Sequence, residues 1–502
     1  MEKINAPTVN FVEPTEFAPR RNILNSTPRL AIVGSGKEAG VSSFVLGLLF
    51  ELNQRGVSVA TAKLNSSLVE TTHYRRITKC LSHTIDPWLL NKSQMLSSLS
   101  RLSKNAKLML LVGEGGLFDK RPAAFSGLSD ADILKASQTP AILVLDAERT
   151  TENLAVFVLG CCNYNPGVKI IGIVANKVKS AEQNERIQTA LNAVVSIKYL
   201  GGIPYKENSP DVFDGVNPSL ITKKQLLDYQ KRVRDYVNID ALLELSKVAS
   251  PLPLDMLALE QQPNCCRIGV ADDAAFHLVI QDNLHILRQN GAELKSFSPL
   301  SDTEIPDNCQ ALYFPSGQIK LYCRELCENK SMLDSIRTFT ERGGLIYAEG
   351  DACAYFCQDL HLSDLGAKYQ GLGIMPAAAI SFMEKFDNDY FPLCSIRGVQ
   401  NSFLVHNGGL LRGIRDGRWL IRPTASVPSC LELFDQAEVV DCRNNNKEVI
   451  AHNGGFCPTP NVILSLAQMH WGANPVVARN FVEKIKSSAP KMFAAANSQA
   501  VV

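Results

Sequence analysis

Short apolar runs recur through the first half of the chain: residues 30–33 (LAIV), 57–63 (VSVATAK), 107–112 (KLMLLV), 141–146 (AILVLD), 169–176 (KIIGIVAN) and 199–204 (YLGGIP). Each is apolar at successive positions and therefore reads as a strand buried on both faces. Longer stretches with helical spacing separate them, the first over residues 42–50. Strands of this kind alternating with helices predict a parallel sheet covered by helices. The pattern loosens over residues 246–264, where prolines interrupt it and no period survives, which predicts a domain boundary. It then resumes, with strands expected over 267–271, 293–297, 311–314 and 345–348 and helices over 283–290 and 352–360. Beyond residue 360 the pattern is mixed and richer in β signals. Residues 1–28 read as a disordered lead-in and residues 489–502 as a loose tail. The expected division is thus 29–245 and 265–488, joined by the linker 246–264.

Length and composition fit that division. A chain of 502 residues is too long for one hydrophobic core. Lys and Arg total 51 against 50 Asp and Glu, a formal charge of +1, so no global basic field attracts nucleic acid or an anionic membrane. No apolar run approaches the ~20 residues of a spanning helix. The 14 cysteines occur singly or as the neighbours Cys161-Cys162 and Cys265-Cys266, without the C-x-x-C spacing of zinc or dithiol sites. A reducing cytoplasm is the expected compartment, with most cysteines acting as small core residues.

Candidate chemistry gathers at the strand ends. Parallel sheets bind ligands beyond the carboxyl ends of their strands, and Lys63, Asp119, Asp146 and Asn176 fall at or near such ends. The first strand runs into a glycine loop, Gly34 to Gly40, and then a helix. That is the unit whose N–H groups and helix terminus face an anion. A working P-loop reads G-x-x-x-x-G-K-[ST], with lysine on the outer phosphates and the hydroxyl on Mg²⁺. Here Gly40 is followed by Val41, Ser42 and Ser43: the hydroxyls are present and the lysine position holds valine. Lys37, inside the loop, is the candidate substitute cation.

The order of these segments resembles the cobyrinic acid a,c-diamide synthase family over roughly residues 29–480. The segments that carry the likeness are LSHTIDPWLL (81–90), GLFD (116–119), SDADILKASQTPAILVLDA (129–147), RIGVADDAAF (267–276), DNLHILRQNGAELKSFSPLSDTEIP (282–306) and HWGANPVVARNF (470–481). The resemblance implies an α/β fold of two domains. A dethiobiotin synthetase-like P-loop domain would bind Mg-ATP and activate a carboxylate of a corrinoid tetrapyrrole. A class I glutamine amidotransferase-like domain would release ammonia from glutamine. It also implies a cytoplasmic protein of cobalamin biosynthesis, with a homodimer or a synthase partner conceivable and no metal beyond Mg²⁺.

Carried over position by position, the resemblance is uneven. Lys63, Asp86, Asp119, Asp146 and Asn176 match. The family's P-loop lysine falls on Val41, the aspartate of its "K-x-G-P-D" on Ser67, and the glutamate of its "E-G-x-M-G-L-F-D" on Val112, with Glu114 two places later. In the second half the nucleophile of "A-E-C-G-G" falls on Gly350, within Ala348-Glu349-Gly350-Asp351-Ala352. The motif "S-Y-x-H-x-H" becomes Ser465-Leu466-Ala467-Gln468-Met469-His470, so that Gln468 takes the expected base position and His470 alone is retained. "G-G-Y-P-E" becomes Gly317-Gln318-Ile319-Lys320, and "R-G-H-E-F-H" becomes Arg412-Gly413-Ile414-Arg415-Asp416. Cys353 lies one helical turn beyond the nucleophile position and reads as a packing residue. Without a nucleophile the thioester route is closed. Two outcomes are therefore expected: a synthase impaired in glutamine use, or a non-catalytic paralogue that binds a tetrapyrrole, a nucleotide or a protein.

Overall fold

A computed structural model describes residues 24–25, 27–104, 106–121, 127–206, 221–253, 261–381, 393–415, 418–435 and 451–499. The lead-in expected over residues 1–28 lies outside the described residues as far as residue 23. Strand β1 (Leu24–Asn25) follows and pairs antiparallel with β9 (Leu252–Pro253), which falls inside the expected linker.

The first half alternates as its apolar runs require: β2 (Arg29–Gly34), α1 (Val41–Gln54), β3 (Val59–Lys63), α2 (Leu68–Thr78), β4 (Ser82–Thr84), α3 (Lys92–Ser103), β5 (Leu108–Gly116), α4 (Asp130–Ser137), β6 (Ala141–Asp146), α5 (Asn153–Tyr164), β7 (Ile170–Val178), α6 (Ala181–Val194), β8 (Lys198–Pro204), α7 (Lys223–Tyr236) and α8 (Ile239–Ser246). The strands form one seven-stranded sheet in the order β4-β3-β5-β2-β6-β7-β8, with every pair parallel. Apolar cores lie on both faces, one packing α3 to α6 and the other α1, α7 and α8. Strand order reverses around β2, which puts its glycine loop at the carboxyl edge where such sheets bind ligands.

The second half opens with β10 (Cys266–Ala271), α9 (Gln281–Gln289), β11 (Ala292–Phe297), β12 (Ala311–Phe314), α10 (Cys323–Glu328), α11 (Lys330–Glu341), β13 (Leu345–Glu349) and α12 (Ala352–Tyr355). It continues with β14 (Cys357–Leu362), β15 (Ala367–Gln370), β16 (Met375–Ser381), β17 (Leu393–Gly398), β18 (Leu410–Arg415), β19 (Trp419–Pro423), β20 (Ser429–Asp435), β21 (Ala451–Thr459), β22 (Val462–Ser465), β23 (Ala467–Met469) and α13 (Val476–Gln499). Ten strands make a mixed sheet, β11-β10-β12-β13-β22-β21-β20-β17-β18-β23, and four make a smaller one, β15-β14-β16-β19.

Two expectations are corrected. The helix expected over 352–360 stops after one turn, because Cys357, Leu360 and Leu362 turn inward while Gln358 stays exposed. That alternation suits a strand, and β14 pairs with β15 and β16. The tail expected from residue 489 instead continues α13 as far as Gln499.

The two halves meet across a buried polar seam. Arg101 on α3 holds Asp282 on α9 through two bonds of 2.7 and 2.6 Å, and Arg75 on α2 holds Asp272 through two of 3.1 and 2.9 Å. Arg412 stacks 5.0 Å over the Trp88 ring and donates to the Trp88 carbonyl. Gln94 donates to the Ala473 carbonyl at 2.7 Å.

Candidate functional site

At the carboxyl edge of the first sheet, the glycine loop joins β2 to the N-terminus of α1 and is closed by its neighbours. Gly40 adopts φ 81° and caps α1, a conformation that costs a side chain strain. A Cβ on Gly40 would also lie 2.1 Å from the Asn176 amide nitrogen, which donates to the Ala39 carbonyl at 2.9 Å. Ser35 accepts the Asp146 N–H at 3.2 Å. The neighbouring strands β6 and β7 thus hold the loop closed. Val41 opens α1 and is buried in the apolar core, whereas Lys37 is exposed in the loop.

The charge of this edge centres on Lys63, which ends β3 and is buried. Its ammonium lies 2.6 Å from Glu70 Oε2 and 2.9 Å from Glu114 Oε2, and it donates to the Gly113 carbonyl at 2.9 Å. Burial opposes the charge, but Glu114 and Glu70 outweigh it and raise the lysine above its usual range. Glu70 also accepts from Ser42 Oγ and from the Tyr74 hydroxyl, each at 3.1 Å. Burial pushes Glu70 upward against the pull of Lys63.

Glu114 reaches the lysine because of a register break. Ile32 pairs with Val112 but Gly34 pairs with Gly116, so β5 bulges between them and carries Glu114 toward β3. Asn65 donates to Glu114, and Asp130 accepts the Glu114 N–H at 2.8 Å. Asp130 in turn pairs with Arg121 at 3.0 Å.

Of the residues singled out in the sequence, Ser42, Lys63 and Glu114 converge. The others serve elsewhere. Ser43 donates back to the Gly40 carbonyl at 3.0 Å. Asp86 caps the next turn by accepting the Trp88 N–H at 2.8 Å, and burial raises its pKa. Asp119 accepts the Gly116 N–H at 3.1 Å, closing its own turn. Asp146 pairs with Lys177 at 2.7 Å. Ser67, at the family's aspartate position, is the N-cap of α2 and accepts the Glu70 N–H at 3.5 Å. Glu70, Asn65, Tyr74, Arg121 and Asp130 were not singled out. For Glu70 there was a signal: a serine followed three places on by glutamate, just beyond a strand-end lysine.

Mg-ATP is the group that the resemblance implies, and these residues answer it only in part. The backbone loop and Ser42 are in place. Val41 supplies no cation, and the charge of Lys63 is already matched by two carboxylates. A triphosphate would have to displace a carboxylate to use that lysine.

The second candidate site is the turn after β13. Gly350 adopts φ 60° there and donates its N–H to the Ser465 carbonyl at 2.8 Å. Asp351, the next residue, accepts the Ile319 N–H at 2.7 Å, takes the Ser316 hydroxyl on its own N–H at 3.0 Å and faces Arg418 at 3.5 Å. Its side chain therefore ties the turn to the 316–319 loop. Cys353 is buried in the core and its thiol donates to the Ser465 carbonyl at 3.1 Å. Glu349 is fully buried beneath the turn and accepts from Tyr313 at 2.5 Å and Tyr347 at 2.6 Å. Burial pushes its carboxyl up to about 7.

Gln468 is also fully buried. His470 turns toward the domain seam, where Gly472 donates to its Nδ1 at 3.2 Å and where burial, the leading effect, lowers its pKa with Asp282 opposing. Among the described residues no group of His, Cys, Asp and Glu is arranged to hold a metal ion, and no helix is long and apolar enough to cross a membrane.

Comparison with known proteins follows the same division. Residues 29–211 match the family model described as an AAA domain, and residues 267–398 the one described as a CobB/CobQ-like glutamine amidotransferase domain. The cobyrinate a,c-diamide synthase of Dehalococcoides mccartyi is 28% identical over 469 residues, covering 91% of this chain and 97% of the relative. That of Listeria innocua is 26% identical over 460 residues, covering 89% and 97%. That of Salmonella typhimurium is 28% identical over 462 residues, covering 90% and 96%. Across the two matched regions the likeness runs nearly end to end, so the chain is similar to cobyrinate a,c-diamide synthases over about nine-tenths of its length.

Proposed function

We propose that this chain is a member of the family without glutamine-dependent chemistry, a non-catalytic paralogue that binds a carboxylated tetrapyrrole, a nucleotide or a partner synthase. One observation carries the reading. The turn after β13 presents Gly350, and hydrolysis of glutamine through a thioester needs a nucleophile at that point. The neighbouring groups support it: Gln468 cannot act as a histidine base, and Asp351 joins the turn to the 316–319 loop and faces Arg418.

A second reading is an amidoligase fed by free ammonia. The convergence of Lys63, Ser42, Glu70 and Glu114 at the carboxyl edge favours it. Val41 weighs against it, since a positioned cation on the transferring phosphoryl group is a large part of such catalysis.

Assays of ammonia release from glutamine and of ammonium-fed amidation of a corrinoid carboxylate with Mg-ATP separate the two. The non-catalytic reading expects no glutaminase activity and no ammonia-dependent amidation, whatever binds. Amidation with ammonium salt and Mg-ATP would establish the second reading, and ammonia release from glutamine would overturn both.

A further inference from the structure

The strand pair β20–β21 carries two cysteines that the candidate sites do not use. Its register runs Ser429↔Phe456 and then Leu431↔Gly455, so Cys430 is the extra residue of a bulge. Cys457 follows Phe456 and donates its N–H to the Pro428 carbonyl at 3.0 Å, which keeps it beside the bulge. Both side chains pack into the same apolar cluster between the ten-stranded sheet and helices α9 and α13. Cys430 is buried and Cys457 half-buried at the cluster's edge. The two side chains thus share one edge of that cluster across the bulge.

We propose that Cys457 and Cys430 form an oxidation site, in which Cys457 is the peroxide-reactive cysteine and Cys430 resolves it to an intramolecular disulfide. The thiolate is the reactive form of cysteine, and redox-sensing cysteines combine thiolate character, access to solvent and a resolving partner. The neighbouring Cys430, aided by Gln400 and opposed by burial, draws Cys457 below the usual thiol range. Cys430 is pushed up by its neighbour Cys457 and by burial.

With hydrogen peroxide as the oxidant, Cys457 sulfur attacks one peroxide oxygen. An S–O bond forms, the O–O bond breaks, and the departing hydroxide takes up the proton that the thiol released. Cys430 sulfur then attacks the sulfenic sulfur. The S–S bond forms, the S–O bond breaks, and water leaves with the Cys430 proton. Two thiols lose two electrons and two protons, and peroxide becomes two waters. A thiol reductant reverses the step.

The test is peptide mapping by mass spectrometry of the folded full-length chain after hydrogen peroxide. A cross-linked peptide pair containing Cys430 and Cys457, lighter than the sum by two hydrogens and lost on dithiothreitol, is expected. Cys457→Ser should abolish it. Cys430→Ala should abolish it and leave a Cys457 sulfenic acid trapped by dimedone. The same treatment in urea keeps the outcome independent of how well either variant folds, because the native chain must form the pair in preference to the unfolded one. Cross-links scattered among other cysteines, a pair formed equally in urea, or a Cys457 untouched by peroxide would each overturn the proposal.

Discussion

At the carboxyl edge of the seven-stranded sheet, Lys63 is buried between Glu70 and Glu114 and backed by Ser42, Tyr74, Asn65 and Asp130. At the turn after β13, by contrast, a glycine donates one backbone hydrogen bond and the neighbouring Asp351 secures the loop across from it. Both regions occupy ligand-binding positions of α/β domains. They differ in what holds them together. The first is a knot of charges around the buried Lys63–Glu70 pair, with the half-buried Glu114 at its edge. The second carries no side chain at the turn position itself and is tied by the Gly350 backbone bond and by Asp351, which accepts the Ile319 N–H and faces Arg418. Removing one member of a buried ionic knot strands the rest, whereas adding a side chain at a glycine turn costs only local backbone strain. Stability should therefore respond far more to the loss of Lys63 than to a side chain added at Gly350.

Lys63→Met breaks the comparison most strongly. It leaves the buried Glu70 without its cation beside the half-buried Glu114, and losses of about 3–5 kcal/mol accompany the breaking of such a buried pair. Chemical denaturation should read this loss directly. Protonation of one carboxylate should recover part of it at acid pH. Gly350→Cys is the matching probe of the turn. A non-glycine residue at φ 60° costs about 1–2 kcal/mol, and the variant should remain folded. It should stay inactive toward glutamine as well, since Gln468 still stands in the expected base position. Measurable ammonia release by Gly350→Cys would show that the turn is a competent site short of one atom.

The same contrast explains what the sequence made legible. The strands of the first sheet announce themselves as apolar runs, because a strand buried on both faces must be apolar throughout. Gly350 and Val41 stand out in the sequence because each chemistry demands one residue type at one place. The Lys63 knot was legible only in part. Lys63 and Ser42 stand at recognisable positions, but Glu114 reaches the lysine only through the bulge between Val112 and Gly116, a register break that spacing does not reveal. Glu70 lies on the next helix, and its partner is set by how that helix packs. The helix expected over 352–360 failed for a related reason. ACAYFCQDL carries no turn signal, and its change of period is decided by pairing with strands that come later in the chain.

The domain seam permits a pH test of how buried groups are held when they carry no permanent charge. His83 is fully buried beside Asp282, with its Nδ1 2.9 Å from Ser98 Oγ. Burial lowers its pKa to about 3, Asp282 opposing. His285 on α9 is lowered to about 4, again chiefly by burial. Above pH 6.5 these rings are neutral both folded and unfolded, so they add no pH dependence. As pH falls below 6.5 the unfolded chain takes up protons that the native seam refuses, and stability declines until the folded pKa is reached. Each ring should contribute a loss of about 1.4 kcal/mol per pH unit in that window. His83→Gln should flatten the decline between pH 6.5 and 4 by one proton. An unchanged slope would mean that His83 is charged, or solvated, in the native seam.

Ser42→Ala is the smallest perturbation and the one that best separates structure from function at the glycine loop. In the structure its hydroxyl serves Glu70, at 3.1 Å, and an unmade hydrogen bond of this kind costs about 1 kcal/mol. If that contact is its whole role, the variant loses about that much stability and its heat of mixing with Mg-ATP matches that of the parent chain. If instead the loop binds Mg-ATP, the same hydroxyl is the one that meets the metal in working loops. The loss in binding should then exceed the loss in stability, because Ser42 would be exchanging one carboxylate partner for the ligand. Measuring both quantities on the one variant turns a small effect into a decision, since a structural contact and a ligand contact cannot both predict equal losses.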